Sequence, residues 1–245
     1  MLKLTLLKIA NAILRPAGVQ IYKAGMDMES VLKLVGRMPG RIGTVIDIGA
    51  STGRWSAMAM PHFPDARFIG VDPLDEREPD LKRLKSRQPK FDYVLCVAGE
   101  KDNDVVELAV TGNLDGSTVG GSVGDGQMRQ VPLHSVDAIV AMKNCDGPFI
   151  LKFDTHGFEV PILKGAAKTL EQTDYIVMEV YNFRHTEGTL TFYEMCSLLE
   201  GMGFRCFNLV DPMQRPIDKA FWQMDLFFAR KNHPVFSSDS YSASR

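Results

Sequence analysis

The chain of 245 residues is 45% hydrophobic and 24% charged, ordinary values for a soluble protein with one sizeable core. A formal net charge of -2 leaves no basic footprint, which argues against a nucleic-acid partner. Cys96, Cys145, Cys196 and Cys206 lie far apart without ligand spacing, so they read as free thiols in a reducing, cytoplasmic setting.

The first segment, MLKLTLLKIANAILRPAG, places Leu2, Leu6, Ile9 and Ile13 at helical spacing among Lys3, Lys8 and Arg15. It lacks a small-residue cleavage site and is too short and too charged to span a bilayer. The pattern predicts a helix packed on the main domain or a partner subunit, with peripheral contact to a membrane as the alternative. A second helix ends near Met38-Pro39-Gly40. Residues 1–40 thus form a helical extension, 41–231 the main domain and 232–245 a serine-rich flexible tail.

From residue 44 onward apolar, β-rich runs fall at 44–48, 67–72, 91–98, 148–154, 174–181, 204–210 and 222–229. Helical patterns occupy 76–88, 158–170 and 190–202 between them. Such alternation predicts an α/β fold, a mostly parallel sheet with helices on both faces. The last two runs have only the turn residues Asp211-Pro212 and Arg215-Pro216 between them, so the final strand is expected to be antiparallel. Residues 111–130 carry six glycines and read either as a lid over a cleft or as a long hairpin loop.

The run DIGASTG, Asp47 to Gly53, joins the first strand signal to a helical one. Strand, glycine turn and helix bring backbone against a nucleotide-like ligand. Gly49 and Gly53 enclose Ala50-Ser51-Thr52, which departs from the G-x-G-x-x-G spacing of dinucleotide sites. With Asp47 at its root, this wider loop suits a ligand that has no pyrophosphate and carries positive charge, such as S-adenosylmethionine. Asp72, followed by Pro73, closes the second strand nineteen positions after Gly53, where an acid accepts hydrogen bonds from ribose hydroxyls. Ala98 and Gly99 end the third strand run with small residues that let an adenine ring lie against backbone.

A second dense cluster is FILKFDTHGFEVPILKGA, 149–166. Lys152 interrupts a strand that should be continuously apolar, Asp154 ends it on the same face, and Glu179 interrupts the later strand YIVMEVY. Buried charges need partners, so Lys152 and Glu179 are expected to face each other or both to point into the cleft. His156 stands just beyond a strand's carboxyl end, where an imidazole takes a proton from a substrate hydroxyl, with Asp154 to hold it. Asp154, His156 and Glu179 could equally bracket a divalent ion, but a site without metal is the preferred reading.

DIGASTG followed by VDP resembles the opening motifs of class I S-adenosylmethionine-dependent methyltransferases. LKFDTHGFEVPILKGA is similar to the signature of the FkbM family, and IVMEVYNF and FYEMCSLLEGMGFRCFNL look like its later strand-helix-strand block. The similarity runs from about Thr44 to Arg230. Asp72-Pro73 stands where the family more often shows Glu-Pro, and His156 where many members have Glu or Gln. The resemblance implies a Rossmann-like seven-stranded sheet and methyl transfer to a hydroxyl of a sugar, polysaccharide or natural product. Two rival functions remain open, a nicotinamide-dependent oxidoreductase on a related sheet and a non-catalytic protein that keeps the cofactor pocket.

Overall fold

The computed structural model describes residues 12, 13, 16, 27–120, 126–184 and 186–242. The helix expected over the first eighteen residues falls outside the described residues. Helix α1 (Met28–Val35) starts at Asp27, whose carboxylate caps it by accepting from Ser30 N at 2.9 Å. Its apolar stripe, Met28, Val31, Leu32 and Val35, is buried on the sheet.

The main sheet has the order β10 (Phe204–Gln214), β11 (Phe221–Arg230), β9 (Thr173–Tyr181), β8 (Phe149–Phe153), β1 (Thr44–Ile48), β2 (Arg67–Asp72) and β3 (Phe91–Leu95). Every pair from β9 to β3 is parallel, whereas β11 runs antiparallel to both neighbours. With no crossover helix between β10 and β11, a tight connection admits only the antiparallel pairing. Helices α2 (Arg54–Ala59), α3 (Glu78–Arg87), α4 (Val136–Met142), α5 (Glu159–Lys164), α6 (Ala167–Glu171) and α7 (Phe192–Gly201) complete the layers. Neighbours in a strand enter different cores: Ile46 and Leu151 pack with Ile176 on one face, Val45 and Ile150 with Phe227 on the other. That is why these strands read as unbroken apolar runs.

The chain leaves β1 toward β2 and β3 on one side, and β8 and β9 stack on the other. This reversal opens a crevice at the carboxyl ends of β1 and β8, the usual place for a ligand in such sheets. No helix among the described residues is long and apolar enough to cross a membrane.

Two local expectations change. The run expected as one strand over 91–98 divides at Cys96, so that β3 stays in the main sheet while β4 (Val97–Gly99) enters a second sheet. That sheet has the order β4, β7 (Gln127–Ser135), β5 (Asp104–Val110), β6 (Thr118–Val119), and the glycine-rich stretch links β5 to β7 through β6. The tail expected to be flexible from residue 232 begins with a docked turn at Pro234–Phe236. There the His233 ring lies 2.8 Å from the Tyr175 hydroxyl, and the Arg205 guanidinium sits over Phe236 at 4.6 Å.

Candidate active site

A cavity of about 250 Å³ lies at the carboxyl ends of β1, β2 and β8. Of the residues singled out in the sequence, Gly49, Ser51, Asp72, Pro73, Ala98, Asp154 and His156 line it. Asp47, Ala50, Gly53, Gly99 and Glu179 lie behind or beside its wall.

The glycine loop has its shape for a steric reason. Gly49 has φ +82, and a Cβ there would collide with the Asp154 carbonyl oxygen. The loop after β1 therefore passes directly against the end of β8, and donor-side and acceptor-side residues are packed as one unit. Gly53 has φ +76 and starts α2, where a Cβ would press on Leu84 at 2.6 Å. Ala50 is buried, and its methyl group faces Gly70. Gly99 packs its backbone against Gly165, at the start of the second sheet rather than on the cavity.

Asp72 is 5% exposed, and both its oxygens are held by backbone, from Ser51 N at 2.8 Å and Leu74 N at 3.0 Å. Burial pushes its carboxyl up to about 6, against the pull of those two hydrogen bonds. Asp72 thus fixes the glycine loop and still presents carboxylate lone pairs to the cavity.

Asp47 does not reach the cavity. It is fully buried, accepts from the Ser56 hydroxyl at 2.7 Å and lies 3.7 Å from the Lys152 ammonium. Lys152 does not pair with Glu179, the first of the two arrangements that the sequence suggests. Register sets Lys152 opposite Asp47 on β1 and Val177 on β9, so the ammonium sits between Asp47 and Asp154, 2.7 Å from Asp154 Oδ2. Desolvation opposes the Lys152 charge, but the Asp154 and Asp47 carboxylates outweigh it and hold the amine firmly protonated. Burial alone would raise Asp154; the Lys152 charge overcomes it and keeps that carboxyl below its ordinary value.

Glu179 lies two residues beyond Val177, level with Asp154. Its carboxylate accepts from the Tyr181 hydroxyl and from the Gln223 amide. Burial first, and the Asp154 charge second, push it up to about 8. His156 has φ +52 and turns its ring toward both acids, with Nε2 3.7 Å from Asp154 Oδ1 and 3.7 Å from Glu179 Oε2. Glu159 secures this turn by accepting from Gly157 N at 2.9 Å and from the Thr155 hydroxyl at 3.1 Å.

Sequence reasoning missed Tyr181, Gln223 and Arg77 at the site, while for 111–130 it allows either a lid over a cleft or a long hairpin loop. Tyr181 shares a strand face with Glu179, so alternation could have found it. Gln223 arrives from β11 opposite Tyr181, a non-local pairing with no signal in the sequence. Leu114, Asp115, Ser117, Thr118 and Val119 form the outer wall, and Arg77 pairs with Asp115 across the mouth. The Thr118 hydroxyl also donates to the His156 carbonyl at 3.0 Å. The part of the glycine-rich stretch from Leu114 to Val119 therefore belongs to the site.

Among solved structures, the chain is similar to 1,6-didemethyltoxoflavin-N1-methyltransferase of Burkholderia thailandensis, at 16% identity and TM-score 0.47, over 84% of this chain and 78% of that one. It is similar as well to magnesium protoporphyrin IX methyltransferase of Synechocystis, at 9% identity and TM-score 0.45, covering 82% and 76%. No curated protein matches the sequence. The Methyltransferase FkbM domain matches residues 47–206, from the glycine loop through the first residues of β10. That span is well over half of the chain and holds every residue of the cavity wall, so the chain belongs to the FkbM family of S-adenosylmethionine-dependent methyltransferases.

Proposed function

We propose that this methyltransferase acts on oxygen, methylating a hydroxyl of a sugar, polysaccharide or natural product. The observation that carries the reading is the convergence of Asp154, His156 and Glu179 beside the cavity, which offers oxygen and nitrogen lone pairs where an acceptor must approach.

The residues present fit the donor. Carboxylates of Asp72 and Asp154 on the cavity wall suit a cationic ligand, and the bare backbone at Gly49 leaves room for close approach. In this reading Asp72 accepts from the ribose hydroxyls, and Gly49 and Ser51 contact the methionyl part. Pro73 and Ala98 border the adenosine. Asp47, Ala50, Gly53 and Gly99 shape the loop and strand ends without touching the ligand. S-adenosylmethionine supplies a methyl group on a sulfonium, already a good leaving group. The chain's own residues then align the acceptor oxygen in line with that bond. An oxygen lone pair forms the new O–C bond, the C–S pair stays on sulfur, and the hydroxyl proton is drawn off at the Asp154–His156–Glu179 cluster.

His156→Ala is expected to lower turnover about 100-fold or more, the scale of a lost proton-transfer group, with S-adenosylhomocysteine affinity within about twofold of the parent. Single-turnover kinetics with labelled donor and a panel of hydroxylated acceptors, beside calorimetry, provides the check. Label found only on nitrogen or carbon, or undiminished turnover in the variant, would sink this assignment.

A further inference from the structure

We propose that Asp154, His156 and Glu179 bind a divalent cation of the Mn2+ or Mg2+ class, and that this ion holds the acceptor oxygen. The inference rests on the hydroxyl-acceptor reading for the ion's role, though not for its binding.

One ligand atom from each residue lies within 4.8 Å of the others. His156 Nε2 stands 3.7 Å from a carboxylate oxygen on either side. Around an octahedral ion with bonds of about 2.1 Å, adjacent donors sit roughly 3 Å apart. Side-chain rotations that close the two His156 gaps by under about 1 Å, and the gap between the two acids by at most about 1.8 Å, would complete one face of such a shell beside the cavity that Asp154 and His156 line. Two carboxylates and one imidazole form a mixed oxygen and nitrogen set, suited to Mn2+ and tolerable for Mg2+.

The bonds behind the cluster fit the same purpose. Lys152 holds Asp154 Oδ2 at 2.7 Å, which leaves Oδ1 turned toward His156. Gln223 holds Glu179 Oε1, and Tyr181 steadies Oε2. Outer hydrogen bonds of this sort orient ligating carboxylates in metal sites.

With the acceptor hydroxyl on the ion, the cluster would draw off the proton through the metal rather than onto a ligand side chain: the ion would lower that hydroxyl's pKa, and the proton would leave to water at the cavity mouth. The oxygen then forms the O–C bond as the C–S pair withdraws to sulfur.

The test is calorimetric titration of Mn2+ alone into chelator-treated full-length protein, without donor or acceptor. Saturable binding near one ion per chain is expected, weakened at least about tenfold in Glu179→Gln and in His156→Ala. Circular dichroism and S-adenosylhomocysteine binding report whether each variant is folded. Absence of saturable binding in the parent, or equal affinity in both folded variants, overturns the site. Full turnover of the chelator-treated enzyme overturns the ion's hold on the acceptor. Transfer to nitrogen would defeat the hydroxyl reading while leaving the Mn2+ titration intact, so the two failures are distinguishable.

Discussion

Asp72 shows how one carboxylate serves both the fold and the proposed cofactor site. It fastens the glycine loop through Ser51 N and the chain after β2 through Leu74 N, from a buried position on the cavity wall. Its carboxyl is raised to about 6, so it is ionised at neutral pH and protonates within a readily measured range. Only the ionised form accepts from both ribose hydroxyls. S-adenosylhomocysteine affinity should therefore fall as pH drops through about 6, by up to tenfold per unit, and level off above about 7. Asp72→Asn should bind about 10- to 100-fold more weakly at pH 8, the scale of hydrogen bonds to a charged group, and lose most of that pH dependence. Calorimetry between pH 5 and 8 decides; a parallel pH slope in the variant would show that another group titrates.

At the level of elements, register assigns the partners of buried charge. Parallel pairing sets Asp47 beside Lys152, and the ammonium bridges the root of the glycine loop to Asp154 at the end of β8. Removing one partner leaves the other charge buried and unpaired, so Lys152→Met should cost about 3–5 kcal/mol of stability. Adding Asp47→Asn to Lys152→Met should cost much less than the two single losses together; additive losses in denaturant unfolding would refute the pairing. The loop between β5 and β6 has a different role. Asp115 and Thr118 tie it to Arg77 and to the His156 carbonyl, the first through an exposed carboxylate on a mostly buried guanidinium, the second through a half-buried hydroxyl. Asp115→Ala should cost no more than about 1 kcal/mol of stability, since Asp115 itself is exposed. It should speed S-adenosylhomocysteine release severalfold in stopped-flow measurements if the loop retains the ligand. An unchanged release rate would make the loop a passive wall.

For the whole molecule, alternation of apolar runs with helical patterns foretold a mostly parallel sheet with an antiparallel partner near its end. The resemblance carried by DIGASTG and LKFDTHGFEVPILKGA led to the family and its donor. These features are legible because period, turn chemistry and local motif are written in consecutive residues. The division at Cys96 was hidden, since an apolar run has the same letters whether it stays in one sheet or passes into a second. The helix Val136–Met142 and the docking of His233 on Tyr175 were missed as well, both being settled by packing against distant segments.

By itself, then, the sequence determined the layer architecture, the donor loop and the kind of residue that gathers at the site. Only the tertiary structure decided which charges meet. It paired Lys152 with Asp47 and Asp154, brought Glu179 to His156, and laid a glycine-rich loop across the cavity. The reason is physical: residue types and periods are local properties of the chain, whereas charge partners depend on strand register and on contacts between segments a hundred residues apart.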